Sequence, residues 1–233
     1  MTALPLDYDS DPGRFLASCE HPHDDVHPYQ AARFAQAGAR TVLDVGGGSG
    51  RLAVLLPELA IRCLLIDLSP TMLALAPHPK AQADGARLPV ADESVDAVAA
   101  LYTLYHYEEP RAPISEARRV LRRGGLFAAC APNRDSTPEL AHVVTDWGAR
   151  SSFDGEDAPS IVASVFTAPG DQVEVERWDG PLVTLTAVEH AASFLRAHGL
   201  SEQAAAAAAA SLQLPLPLTM RGCFVYATKG GGL

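Results

Sequence analysis

The pattern of apolar and polar positions divides the chain into short apolar runs, amphipathic stretches and breaker residues. Thr41, Val42, Leu43 and Val45 read as a short buried strand interrupted only by Asp44, and the glycine run 46–50 follows at once. Residues 51–56 read as the first turns of a helix ending near Glu58, and 61–66 as a second buried strand with Asp67 at its end. A short helix is expected over 71–76, closed by Pro77 and Pro79, and further strands over 80–83 and 96–101. Residues 113–123 are amphipathic, with Ile114, Ala117, Val120 and Leu121 on one face and Gly124-Gly125 as the stop, and 126–131 is a fifth strand.

The flanking regions follow the same rules. Residues 31–37 form a short helix ended by Gly38, while 137–149 and 158–167 look like helical pieces. A sixth strand is expected over 173–178 and 182–186, bent at Asp179-Gly180-Pro181. Thr186 is placed to cap a helix through Ala197, the alanine run 204–210 favours another helix, and 219–228 is the last strand. Strands that alternate with helices predict an α/β fold with a largely parallel sheet.

Size and composition narrow the class. A chain of 233 residues suits one domain with a full core, so 1–233 is read as a single domain. The net charge of −10 repels phosphate backbones, which argues against nucleic acid as a partner. No apolar run is long enough to cross a bilayer, and residues 1–11 lack a basic start or a hydrophobic signal core. Cys19, Cys63, Cys130 and Cys223 lie far apart, which fits free thiols in a reducing cytoplasm.

The glycines run Gly46-x-Gly48-x-Gly50, and Arg51 stands where a dinucleotide fingerprint needs its last glycine. No G-x-x-x-x-G-K is present, so a triphosphate loop is ruled out. Three further stretches follow: Asp67-Leu68-Ser69-Pro70, then Asp84-Gly85-Ala86 with Leu88-Pro89 through Asp96, then Glu116 with Arg119-Val120-Leu121 and Gly124-Gly125. With the strand-end segment Leu104-Tyr105-His106, the series resembles the class I S-adenosylmethionine-dependent methyltransferases that act on small molecules. The motif-level likeness covers 42–131 and loosens toward 228.

The resemblance implies a Rossmann-like, doubly wound α/β sheet of seven strands, the last antiparallel, with a small helical cap. It implies S-adenosyl-L-methionine as cofactor, with Asp44 facing the methionine amino group and Gly46, Gly47, Gly48 and Gly50 allowing close approach. Asp67 would accept the ribose hydroxyls with Leu68 and Met72 beside it; the bland alternative is that Asp67 only caps the next helix. Asp84, Gly85 and Ala86 would meet the adenine, and Leu101 and Tyr102 would complete the pocket. The acceptor would be a small molecule, methylated on oxygen or nitrogen without a metal, by a monomer or homodimer. His106 is the candidate general base and Tyr105 the second choice; equally, His106 could only shape the site.

Several features stay open at this stage. Residues 1–30 are expected to form a lid, with Tyr8, Arg14, Phe15 and Tyr29 as its candidate contacts. The run Cys19–His27 could instead be read as a metal site, though it matches no standard zinc spacing. Residues 133–170 are the expected acceptor-side cap, with Trp147 and Phe153 as stacking or core residues. Arg118, Arg119, Arg122 and Arg123 read as a solvated face or, less simply, as an anion patch. Two rival functions remain: a cofactor-binding scaffold without methyl transfer, and a nucleotide-dependent oxidoreductase, which Arg51 disfavours.

Overall fold

A computed structural model describes residues 8–10, 26–144 and 152–231. Seven strands are described: β1 (Thr41–Val45), β2 (Arg62–Asp67), β3 (Lys80–Gln82), β4 (Val95–Leu101), β5 (Leu121–Pro132), β6 (Gln172–Leu185) and β7 (Leu216–Thr228). They form one sheet in the order β3-β2-β1-β4-β5-β7-β6. Strands β1 to β5 pair in parallel, whereas β7 runs antiparallel to both β5 and β6. The expected doubly wound sheet with an antiparallel last strand is therefore present.

Helices cover both faces. Helix α1 (Val26–Gln36) and α2 (Pro70–Leu75) pack with the apolar turn 52–56 on one face, where Phe34, Leu52, Leu56 and Leu65 are fully buried. Helix α3 (Arg111–Val120) and α4 (Ala158–Val165) cover the other face through Ile114, Val120 and Val162. Helices α5 (Val188–Ala197) and α6 (Glu202–Ser211) lie between β6 and β7. With Leu140, Val144, Leu185 and Leu218 they enclose a third apolar cluster of their own. Strand β6 points the same way as β1 to β5, so this insertion leaves from the carboxyl edge of the sheet.

Three local expectations change. Residues 51–55 form turns and Leu56–Leu59 a 3-10 helix, so no regular helix follows the glycine run; Pro57 has no N–H with which to continue an α-helical ladder. Helix α3 stops at Val120, and β5 begins at once, so Gly124-Gly125 lies within the strand rather than ending the helix. The expected cap 133–170 divides: residues 138–144 join the cluster around α5 and α6, while α4 packs on the main sheet. Phe153 is fully buried in that main core, and Trp147 lies outside the described residues.

The four arginines lie on a partly solvated face, and each is ion-paired rather than gathered into an anion patch. Arg118 pairs with Asp171, Arg119 with Glu116 and Asp92, Arg122 with Asp96, and Arg123 with Glu93. Asp96 also accepts the N–H groups of Arg40 and Thr41 at 3.0 and 2.9 Å, tying the start of β1 to β4. Burial raises its pKa, but Arg122 and the two backbone donors outweigh that and hold it below the usual carboxylate value.

Candidate functional site

The residues singled out in the sequence gather at the carboxyl ends of β1 to β4, where ligands bind in doubly wound sheets. The chain leaves β1 through Gly46, Gly48 and Gly50, all with positive φ. A Cβ on Gly46 would lie 2.0 Å from Thr103 Oγ1, and one on Gly47 2.5 Å from Asp44 Oδ2. Glycine is thus required here by packing as well as by conformation. The turn's own N–H groups are engaged: those of Gly46 and Gly47 donate to the Ile66 carbonyl, that of Gly48 to Asp67 Oδ2, and that of Gly50 to the Gly47 carbonyl.

Asp44 is the unusual group. It is 3% exposed, and its Oδ2 has no hydrogen-bond partner among the described residues. Burial, with Asp67 nearby, raises its pKa to about 7. A buried carboxylate without a partner costs free energy that a cationic ligand would offset.

Asp67 ends β2 and is half-buried. Each of its oxygens accepts one backbone N–H at 2.8 Å, from Gly48 and from Ser69. A carboxylate has about four acceptor positions, so both oxygens can still receive a hydroxyl. The helix-capping alternative falls to a neighbour: Ser69 Oγ accepts the Met72 N–H at 3.1 Å and is the N-cap of α2. Met72 is fully buried beneath α2, and Leu68 points outward at 65% exposure.

The other members sit around these two carboxylates. Asp84 is exposed and accepts the Ala86 N–H at 2.8 Å. The Gly85 N–H donates to the Tyr107 hydroxyl at 3.2 Å, which joins the β3 and β4 exits. Leu101 is buried, and Tyr102 beyond it holds φ 53, a left-handed conformation rare outside glycine. The sequence singled out neither Thr103 nor Tyr107; both are recognised by what they touch, Gly46 and Gly85.

His106 closes a short 3-10 turn, Leu104–His106. Its Nε2 is 2.9 Å from the Tyr8 hydroxyl, and the two rings meet edge-on. Tyr105 packs on the histidine ring with centroids 4.4 Å apart. The residue is exposed at the surface, and the packing of Tyr8 and Tyr105 on its ring lowers its pKa to about 4. The imidazole is therefore neutral near pH 7. Burial holds the Tyr105 phenol well above its ordinary pKa.

Of the expected lid contacts, Tyr8 reaches His106, whereas Tyr29 stacks on Phe224 and donates to Glu176 on β6. Arg14, Phe15 and most of the Cys19–His27 run lie outside the described residues. Among the described residues no three metal-ligating side chains cluster, and Cys63, Cys130 and Cys223 are buried free thiols.

Residues 43–129 match the family described as a methyltransferase domain. Over those residues the chain carries a methyltransferase domain, and the relatives it matches include a probable S-adenosylmethionine-dependent methyltransferase of Mycolicibacterium smegmatis. A family relative from Mycobacterium tuberculosis, an uncharacterized methyltransferase, is 32% identical over 165 residues. That match covers 67% of this chain and 65% of the relative, so the chain spans about two-thirds of that protein's length, just short of it. In fold, the chain is similar to the YcgJ protein of Bacillus subtilis, with TM-score 0.66, 17% identity, and coverage of 88% and 100% of the two chains. It is equally similar to the [4+2]-cyclase SpnF, with TM-score 0.67, 19% identity, and coverage of 99% and 100%.

The residues fit the family's cofactor. The orphaned Asp44 oxygen suits an ammonium group, and Asp67 has capacity for a diol.

Proposed function

We propose that this protein transfers a methyl group from S-adenosylmethionine to a small organic acceptor, on oxygen or nitrogen, without a metal. The observation that carries the reading is the buried Asp44 oxygen, without a partner among the described residues, beside a glycine turn and near Asp67. When bound, S-adenosylmethionine supplies a methyl carbon already activated by a sulfonium. Asp44 would hold the ammonium, Asp67 the ribose hydroxyls, and Asp84 with Gly85 and Ala86 the adenine edge.

The chain's remaining work is orientation and proton removal. Proximity in a dry pocket accounts for much of the rate in such a reaction. For a hydroxyl acceptor, His106 takes the proton. A neutral imidazole with lowered pKa is a weak base, yet an acceptor oxygen becomes strongly acidic as it gives up electron density, so a weak base suffices. The acidic net charge supports a small-molecule acceptor over nucleic acid, and three buried free thiols support a reducing, cytoplasmic setting. No described helix is long and apolar enough to cross a membrane.

Similarity to a cyclase means that fold alone does not fix the reaction, so the scaffold reading needs its own test. Incubation with methyl-labelled cofactor and a panel of small hydroxyl and amino compounds should label at least one of them. Tight cofactor binding with no labelled product across the panel would favour the scaffold. A melting temperature raised by nicotinamide dinucleotides and not by S-adenosylmethionine would favour the oxidoreductase.

A further inference from the structure

The contact between Tyr8 and His106 bears on the path of the proton. A neutral imidazole has one N–H and one lone pair. A phenol is a stronger proton donor than an imidazole N–H, and an imidazole lone pair accepts better than a phenol oxygen. The 2.9 Å contact is therefore the Tyr8 O–H donating to Nε2, which leaves the ring proton on Nδ1. In that tautomer the ring's only lone pair is already filled. A proton from an acceptor can reach His106 through Tyr8, or only after Tyr8 has been displaced.

The surroundings hold Tyr8 in place. Its neighbour Asp9 accepts the Ser69 hydroxyl at 2.5 Å and the Thr71 N–H at 3.3 Å. Ser69 is in turn tied to Asp67 through its own N–H. Hydrogen bonds thus run from Asp67 through Ser69 to Asp9, whose chain neighbour Tyr8 meets His106. Residues 8 and 9 cross the carboxyl edge from the β2 exit to the β4 exit.

We propose that Tyr8, rather than His106, is the group that meets the acceptor hydroxyl, and that the two side chains form a proton relay. The proposal rests on the methyl-transfer reading and deepens it. The acceptor O–H bond breaks, its electron pair stays on the acceptor oxygen, and its proton goes to Tyr8 Oη. Tyr8's own hydroxyl proton passes to Nε2, and the resulting imidazolium loses a proton to water.

The first test does not depend on activity. Long-range proton–nitrogen NMR of the histidine rings, with His106→Ala assigning the signal, should show Nδ1 protonated and Nε2 as a hydrogen-bonded lone pair. Tyr8→Phe keeps the ring packing, and in it the Nε2 signal should move further downfield. An Nε2–H tautomer in the wild type, or an unchanged signal in Tyr8→Phe, would overturn the relay. The second test uses the acceptor found in the labelling panel. Tyr8→Phe and His106→Ala should each lose ~10²–10⁴-fold in turnover, and the double variant should lose no more than the worse single one. Wild-type or faster turnover in Tyr8→Phe would mean that Tyr8 is displaced, and the relay fails. If His106→Ala alone keeps full turnover, the base assignment itself falls, and the NMR result then stands as a structural fact only.

Discussion

The carboxyl ends of β1, β2 and β4 differ from the half of the molecule built on β6, β7 and the insertion between them. At the strand ends, Asp44 has an orphaned buried oxygen, Tyr102 holds a left-handed backbone, and Gly46 and Gly47 leave no room for a Cβ. In the other half, α5 and α6 close on their own apolar cluster, and Arg221 is paired with Asp135 and Asp179. One region closes on its own apolar cluster; the other keeps a buried carboxyl group and a left-handed backbone at the strand ends. Unsatisfied burial and strain collect where function needs them, because surrounding structure must stabilise what they cost.

The largest effect expected on this contrast is catalytic. His106→Ala should keep near-normal affinity for S-adenosylhomocysteine while turnover falls ~10²–10⁴-fold. Loss of affinity and turnover together would place His106 in the cofactor pocket instead. Next comes the apoprotein's response to pH. Asp44 has its pKa raised from 3.8 to about 7 by folding. The folded state therefore binds its proton more tightly than the unfolded one. This contribution is fully present below about pH 4, is lost as pH rises to about 7, and stays lost above. Asp44→Asn should accordingly stabilise the apoprotein at pH 8 by up to ~4 kcal/mol, with the gain vanishing near pH 4. Denaturant melts of both proteins across that range would show it, and a pH-independent difference would contradict a buried ionisable Asp44.

Smaller effects separate packing from strain. Gly38→Ala meets nothing within 4 Å and should cost only the left-handed penalty of ~1–2 kcal/mol. Gly46→Ala adds the clash with Thr103 and should cost roughly 1–3 kcal/mol more. Equal costs would mean that Thr103 yields easily and the turn is not tightly built. The smallest change belongs to an exposed pair: Arg123→Ala, which removes a 3.7 Å contact to Glu93, should shift stability by less than ~0.5 kcal/mol.

What was legible in the sequence was what short spacing encodes. The strand–glycine turn and the acids at the ends of β2 and β3 are local patterns, and so is the histidine after β4; all of them converge at one edge. The bend in β6 was also legible, for the register shift falls between Pro181 and Val183. Contacts between distant segments were not. Tyr8 meets His106 across 98 residues, and Tyr107 meets Gly85 across 22. Neither pairing has a local signal. The helix expected after Gly50 failed for a different reason: Leu52 and Leu56 are buried at helical spacing, yet Pro57 tightens the segment into a 3-10 turn. Division of the expected cap was hidden because an apolar helix packs equally well on either neighbour.

Asp44 and Asp67 are proposed to form one pocket for S-adenosylmethionine. Calorimetric titration of S-adenosylhomocysteine into the wild type, Asp44→Asn and Asp67→Ala tests it most directly. The wild type should bind one-to-one, and Asp67→Ala should lose ~1.5–3 kcal/mol with its charge-assisted pair. Asp44→Asn should also bind more weakly, although its fold is the more stable of the two at pH 8. No binding to the wild type, or equal affinities in all three folded proteins, would contradict the account.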